Sequence, residues 1–194
     1  GDTLWTKTYG GTGDDWALDL VQTEDRGFVI AGYTSSFGSG ATNIYLIRTN
    51  ATGDTIWTAT DASIIPTTAY SIEQLYDDGF LITGGIQYTE TNVDCYILRT
   101  DASGRKLWAK EYGGDKFDYG MDILIIDDST FFIFGTTESF GTPLKDFWLL
   151  KIDDKGDTIW TRTYGTFYDD DPWDAILCYD GSIVMAGGSK FTSR

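Results

Sequence analysis

The sequence predicts an all-β fold, a β-propeller built of four-stranded antiparallel blades. Three observations predict it: marker residues recur at a fixed spacing, each repeat contains four short strand-like runs, and no segment shows helical periodicity over ten residues. Repeats of 40–50 residues with four strands each are typical of propeller blades, because one blade cannot bury both of its faces alone. We therefore expect almost no helix.

The repeat is marked by three sets of residues that share one register. The tryptophans of the first set are separated by 52, 51 and 52 residues, and two sets of glycines keep the same spacing. The sets are Trp5, Trp57, Trp108 and Trp160; Gly1, Gly53, Gly104 and Gly156; and Gly32, Gly84, Gly135 and Gly187. They divide a single domain, 1–194, into repeats 1–52, 53–103, 104–155 and a truncated 156–194.

The strands follow from the composition of the runs within each repeat. In the first full set, residues 16–23, 28–34, 44–49 and 55–60 are rich in β-branched and aromatic side chains and have ordinary strand lengths. A turn recurs between the third and fourth runs, at 50–53, 101–104 and 153–156. Its first residue is Asp or Asn, which can close a turn, and its last is glycine, which adopts positive φ readily.

The strands of each blade, named A to D from axis to rim, predict about four blades with the last one incomplete. Residues 1–9 are expected to form a lone D strand, followed by three complete sets and then the A and B strands of a fourth blade, fifteen strands in all. We expect the tryptophans to wedge between blades and the strand glycines to mark close packing of blades. The missing C strand indicates a piece of a larger propeller of five to eight blades. The alternative is that a neighbouring molecule fills the gap.

The repeat motif also resembles a known group of proteins. The units read Gly-Asp-Thr-Leu-Trp-Thr-Lys-Thr-Tyr-Gly-Gly (1–11), Asp-Asp-Trp-Ala-Leu-Asp-Leu-Val-Gln-Thr (14–23), Gly-Phe-Val-Ile-Ala-Gly-Tyr-Thr (27–34) and Ile-Tyr-Leu-Ile-Arg-Thr-Asn (44–50). This resembles the propeller-type repeats of large secreted or surface-anchored proteins of bacteria and archaea. The second unit departs from the motif, with Asp61-Ala62-Ser63 in place of Tyr-Gly. The resemblance implies a propeller in an extracellular or cell-surface location, and it implies no activity.

A weaker likeness connects the chain to the tryptophan-docking repeat of quinoprotein dehydrogenases. The shared pattern is Asp/Asn-x-x-Gly-x-x-x-Trp, which occurs at 50–57, 101–108 and 153–160. In that family the pattern locks blades together, so this likeness also implies architecture. The sequence offers no residue cluster for a quinone.

Composition excludes several classes of function. The chain has 30 acidic and 14 basic residues, a formal charge of −16, which repels nucleic acid. No apolar stretch is long enough for a membrane helix, so we expect no membrane insertion. The chain contains no histidine and no phosphate-binding loop, which removes histidine triads, histidine zinc sites and imidazole acid–base catalysis. We expect a protein that is not an enzyme.

Acidic residues recur in the connections from each D strand to the next A strand. Clusters of Asp with backbone carbonyls suit Ca²⁺, which prefers six to eight oxygen ligands. The sequence therefore suggests a weak calcium-binding site in one or more of these loops, with Ca²⁺ as the cofactor. No segment has the spacing of an EF-hand. The favoured alternative is that these side chains cap turns and solvate the surface. The residues are Asp14, Asp15, Asp115, Asp118, Asp169, Asp170 and Asp171.

Aromatic residues accompany these aspartates on the face that bears the D–A and B–C loops. Rings beside carboxylates are typical of glycan sites, and loop faces also dock proteins. The alternative is that most of these rings fill space between blades. The candidate ligand-face residues are Trp16, Phe117, Tyr119, Tyr168 and Trp173. Separately, Asn50-Ala51-Thr52 is a glycosylation sequon in an exposed turn.

These observations favour an extracellular structural or binding module whose partner is a protein or a glycan at the cell surface. Two alternatives stay open. One is a glycan-binding adhesin that uses the loop-face aromatics and aspartates. The other is a self-assembling subunit of a surface filament or coat, in which a neighbour supplies the missing strand.

Overall fold

The structure, a computed structural model, describes residues 1–190, which form fourteen antiparallel strands and no helix. Each sheet pairs its strands in chain order. The first sheet contains β1 (Asp15–Gln22), β2 (Phe28–Thr34), β3 (Asn43–Thr49) and β4 (Thr55–Thr60). The second contains β5 (Thr67–Gln74), β6 (Phe80–Thr89), β7 (Asn92–Thr100) and β8 (Lys106–Tyr112). The third contains β9 (Asp118–Asp127), β10 (Thr130–Thr137), β11 (Asp146–Asp153) and β12 (Thr158–Tyr164), and the fourth contains β13 (Asp170–Leu177) and β14 (Ile183–Ser189). The predicted all-β class and the four strands per repeat are confirmed.

Consecutive sheets pack face to face and bury three apolar clusters between them. Val29 and Leu46 of the first sheet meet Ile72 and Ile82 of the second, and the next two junctions are built in the same way. Side chains alternate between the two faces of a strand, so a sheet covered on both faces is apolar throughout. This accounts for the almost continuous burial of the third strand in each complete sheet.

A tryptophan in the fourth strand of the first two sheets, β4 and β8, packs against a turn of the following sheet. Trp57 lies against Gly104 and Trp108 lies against Gly156. Both glycines have positive φ, 78° and 76°. A Cβ atom at Gly104 would lie 2.7 Å from the Trp57 ring, so this turn requires glycine for its backbone and for its neighbour. The predicted tryptophan wedges are confirmed at these two junctions.

Residues 1–9 form no strand. The predicted lone D strand in this segment, and with it the total of fifteen strands, was wrong. No strand among the described residues lies beside this segment to form a ladder with it. Its side chains nevertheless contact the first sheet: Trp5 packs on Gly53, Lys7 pairs with Asp54 at 2.8 Å, and the Tyr9 hydroxyl donates to the Gly53 carbonyl at 2.7 Å. Three side chains of β8 contact the third sheet in the same way, Trp108, Lys110 and Tyr112. The segment thus occupies the position of an outer strand of a preceding sheet.

The recurring strand glycines serve a different purpose from the one predicted. A Cβ at Gly32 or Gly84 would overlap the carbonyl oxygen of Trp16 or Thr68, which belongs to the first strand of the same sheet. The cause is a bulge in each first strand, which brings that carbonyl against the glycine. The prediction that these glycines mark close packing of blades was therefore wrong for the first three sheets. A Cβ at Gly187 would also meet the Phe147 ring of the neighbouring sheet.

Polar residues on the first strands link neighbouring sheets. The Asp19 carboxylate accepts a hydrogen bond from the backbone N–H of Ile72 at 2.9 Å, and Asp122 accepts one from Ala175 at 3.2 Å. Ser71, at the equivalent position of the second sheet, donates to Asp122 at 3.4 Å. The first two junctions are therefore each fixed by a polar contact between first strands and by a tryptophan of the fourth strand.

Candidate ligand-binding face

One end of the stacked sheets carries the loops that lead into each first strand and the loops that join second to third strands. We call this end the loop face, and it includes residues 10–14, 35–42, 61–66, 90–91, 113–117, 138–145 and 165–169. Backbone hydrogen bonds join the two kinds of loop, as from Ser35 N–H to the Asp14 carbonyl and from Glu138 N–H to the Phe117 carbonyl. The loops that the sequence singled out therefore share one face.

Asp15 ties two loops of the first sheet together. Its carboxylate accepts hydrogen bonds from the Gly11 N–H and the Ser36 hydroxyl, both at 2.7 Å, and from the Thr34 hydroxyl. Burial alone would raise the pKa of Asp15, but these hydrogen bonds outweigh it and the pKa is lowered. Asp118 of the third sheet has the same arrangement, with donors Gly114, Ser139 and Thr137. Both residues act as loop clamps.

The remaining predicted aspartates are spread among separate interactions. Asp170 accepts hydrogen bonds from the N–H and hydroxyl of Thr166 at 2.6 and 3.0 Å. Asp171 forms ion pairs with Lys190 at 2.9 Å and Lys145 at 3.4 Å; the hydrogen bond from Lys190 contributes most to lowering its pKa. Asp169 accepts a hydrogen bond from the Lys145 N–H at 3.4 Å.

The structure does not bring the candidate calcium ligands to one point. Asp14 interacts through its backbone groups, donating to the Ser35 hydroxyl. Asp115 lies near Asp94, whose pKa is raised mainly by burial and further by Asp118, Glu111 and Asp115. Within residues 1–190 no group of three or more Asp, Glu, Cys or His could hold a metal ion. The calcium site stays a prediction.

The second sheet replaces the clamp with a different pair of residues. Thr67 stands at the position of Asp15, and its hydroxyl donates to the buried carboxylate of Asp61 at 2.9 Å and accepts the Ile44 N–H at 3.0 Å. Burial raises the pKa of Asp61, whose second oxygen has no hydrogen-bond partner within residues 1–190. Sequence reasoning missed this role of Asp61. The signal available was the departure of the second unit from the Tyr-Gly motif.

The candidate ligand-face aromatics fall into three separate places. Trp16 is stacked on Tyr33 at the free face of the first sheet, with ring centroids 6.2 Å apart. Phe117 and Tyr119 are stacked on each other in the middle of the loop face, also at 6.2 Å. Tyr168 and Trp173 are exposed on or beside the fourth sheet. The structure therefore brings Phe117 and Tyr119 of the predicted set together.

Tyr70 joins this central aromatic pair and was missed by sequence reasoning. Its ring meets that of Tyr119 edge to face, with centroids 5.9 Å apart. Tyr70 is the bulged residue of β5, between Ala69 and Ser71, where the pairing register shifts. A bulge breaks the alternation from which side-chain direction is inferred, so the pattern of β5 alone does not indicate where this ring points.

A cavity lies at the opposite end of the molecule, between the second and third sheets, and has a volume of about 440 Å³. Its basic lining residue Arg99 is buried and holds the carboxylate of Asp77 in a bidentate pair. The same pair recurs in the first sheet between Arg48 and Asp25. Because the pair repeats with the fold, we interpret it as a clamp between turn and strand rather than as part of a ligand site.

Asn50 also lies at this opposite end, in the turn between β3 and β4. Its side-chain oxygen accepts hydrogen bonds from the N–H groups of Thr52 and Asp54, each at 2.9 Å. The predicted closure of this turn by Asn is confirmed. Glycosylation of Asn50 stays a prediction.

Comparisons with known proteins do not assign the chain to a family. Residues 1–190 contain no helix long and apolar enough to cross a membrane. No protein-family model and no curated protein matches the chain.

Proposed function

We propose that the chain is a segment of a larger β-propeller that serves as an extracellular structural or binding module without catalytic activity. The main support for a propeller is that the same kind of junction between sheets is repeated along the chain. Each pair of complete sheets is joined by the same two apolar faces, a polar contact at the inner edge and a tryptophan on a turn glycine at the outer edge. Repeating one junction between sheets applies the same rotation each time, which arranges sheets around an axis.

The free face of the first sheet supports further blades beside it. Leu20 is 56% exposed, whereas its equivalents Ile72 and Ile123 are each 2% exposed because a preceding sheet covers them. Residues 1–9 already lie on the outer part of this face in the position of an outer strand. We infer that the inner strands of another blade cover Leu20 in the intact assembly.

The binding role is assigned to the loop face. Phe117, Tyr119 and Tyr70 form one aromatic group there. Aromatic rings beside hydrogen-bonding groups are suited to recognising glycans and proteins at an exposed surface.

A glycan array tests this role with two matched variants. We expect the wild-type chain to bind glycans and Phe117→Ala to lose most of that binding, because the stacked pair is removed. Tyr76→Ala, which removes an exposed ring at the opposite end of the molecule, is expected to bind like wild type. Equal binding by wild type and Phe117→Ala, or no binding at all, would contradict a glycan-binding loop face.

A second candidate, assembly with other copies of the chain, is favoured by the last sheet. Ile176 and Val184 of that sheet are 56% and 52% exposed, on the face that corresponds to the buried Val29 side of the first sheet. This face and the one that bears Leu20 are the two partners of an ordinary junction, so a head-to-tail contact between copies would repeat it.

Light scattering over a range of protein concentrations tests assembly. We expect oligomers to form as concentration rises and Leu20→Asp to abolish them, because a charge would enter the junction. Leu107→Asp, at an exposed leucine of β8 away from both free faces, is the control and should leave assembly unchanged. A wild-type chain that stays monomeric throughout would rule this candidate out.

A further inference from the structure

A cavity on the loop face is lined entirely by uncharged residues. Its volume is about 150 Å³, and it lies beside the central aromatic group, where the first three sheets meet. This is unusual for a chain with a formal charge of −16. Its lining includes Thr42, Thr68, Tyr70, Gly85, Gln87 and Tyr119.

Two tyrosines of this cavity keep hydrogen-bonding capacity that the protein does not use. Neither the hydroxyl of Tyr70 nor that of Tyr119 forms a hydrogen bond with another group in residues 1–190 that would offset the effect of burial on its pKa. Burial raises the pKa of both groups, that of Tyr119 to about 12, so both are neutral at physiological pH and can donate or accept. Neither hydroxyl is among the buried unpaired polar atoms of residues 1–190, so both reach solvent at the cavity and are available to a ligand.

The cavity depends on two features that the other complete sheets lack. Gly85 stands where the first sheet has Tyr33 and the third has Thr136, and a Cβ there would lie 2.9 Å from the Tyr119 ring. Between β6 and β7 the chain stays paired as a narrow hairpin to Thr89 and Asn92, whereas the corresponding segments of the first and third sheets are open loops, 35–42 and 138–145. The glycine and the narrow hairpin leave room that a larger side chain or an open loop would fill.

The size and chemistry of the cavity indicate the class of ligand. Its volume is well below the roughly 300–1,000 Å³ of sites for drug-sized ligands, so the occupant is about one ring in size. Hydroxyl and amide groups of Thr42, Thr68 and Gln87 can pair with several hydroxyls, and the aromatic rings offer apolar contact. Glu138 lies near Tyr119 and disfavours an anion, while the lining holds no carboxylate for a cation.

We propose that this cavity binds a neutral pyranose, one sugar ring of a glycan. The inference rests on the proposed binding role of the loop face and names the residues and the ligand class for it.

Saturation-transfer NMR with methyl pyranosides of glucose, galactose, mannose and N-acetylglucosamine tests the proposal. We expect at least one probe to bind and the double variant Tyr70→Phe/Tyr119→Phe to weaken its binding by about tenfold or more, because two hydrogen bonds to the sugar are lost. The rings remain, so the fold should be unaffected. Tyr33→Phe removes a tyrosine hydroxyl of β2 that does not line the cavity and is expected to bind like wild type.

A second variant and the array separate failure of this inference from failure of the binding role. Gly85→Ala is expected to narrow the cavity and weaken binding, with circular dichroism as the check on folding. If the probes bind equally to the double variant and to wild type, the sugar site lies elsewhere and this inference is overturned. If no probe binds while Phe117→Ala still reduces binding on the array, the cavity proposal fails and the binding role stands. If neither method detects binding, both fail.

Discussion

Replacing Glu73 with leucine is expected to stabilise the protein by about 1–2 kcal/mol at pH 8, a figure that allows for the partly exposed position of the side chain. Glu73 lies on the face of β5 that packs against the third sheet, beside Leu81. The equivalent residues of the first and third sheets are Val21 and Leu124, which pack into their junctions. A carboxylate at this position must give up part of its hydration, which an apolar side chain does not.

The same residue is expected to make stability depend on pH. Burial, with further repulsion from Asp19 and Asp122, raises the pKa of Glu73 from 4.5 to about 7. Between these values the unfolded chain has already released a proton that the folded chain still holds, so the unfolded state binds fewer protons. Stability attributable to Glu73 is therefore full below pH 4.5 and is lost as pH rises to about 7.

Urea unfolding from pH 4.5 to 8 measures both effects. Glu73→Gln is the matched control, because it keeps the shape of the side chain and cannot titrate. The difference in unfolding free energy between wild type and Glu73→Gln should change with pH across this window. Burial also raises the pKa of Asp61 and Asp94, and those contributions cancel in the difference. A difference that is flat with pH would contradict the half-buried position of Glu73.

Replacing Gly104 with alanine is expected to destabilise the protein by about 2–4 kcal/mol. Two effects add. The residue has φ of 78°, which alanine adopts only with strain, and the new Cβ would lie 2.7 Å from the ring of Trp57. The ring is held between sheets and has little room to move away. Urea unfolding of the variant measures the loss.

Gly181→Ala separates these two effects. Gly181 has φ of 81°, and a Cβ added there would meet no atom within 4 Å, so its substitution should cost only the backbone strain, about 1 kcal/mol. In a Trp57→Leu background, Gly104→Ala should cost less than in wild type, because the clash with the ring is relieved and only the 3.2 Å contact with Ala59 remains. Equal costs for Gly104→Ala and Gly181→Ala in the wild-type background would show that the tryptophan does not pack on this turn.

The repeat is predictable from the sequence because its determinants are local and periodic. The turn glycines need positive φ, and a tryptophan recurs in the segment that follows each turn glycine. The β-branched runs are bounded by turn residues. Each strand of the four sheets can therefore be located to within a few residues. Residues 1–9 have the composition of a strand. A strand also needs a neighbouring strand with which to form backbone hydrogen bonds, and composition does not show whether one is present.

The sites are less predictable because they depend on residues that break the repeat. The bulge before Ser71 redirects Tyr70 into the loop face, and no alternation pattern reports a bulge. Asp61 takes over part of the clamp that Asp15 provides elsewhere, although the two stand at different positions in their repeats. For the predicted aspartates the sequence shows the repeat but not the role of the side chains. Their recurrence is plain in the sequence, and most of them hold loops together through hydrogen bonds or ion pairs that only the folded chain reveals.

A crystal structure of this chain measures the central claim, the repeated junction between sheets, most directly. We expect consecutive four-stranded sheets packed face to face and rotated about a common axis, with Trp57 on Gly104 and Trp108 on Gly156. Sheets paired as a two-layer sandwich, or stacked in a straight row without rotation, would contradict it.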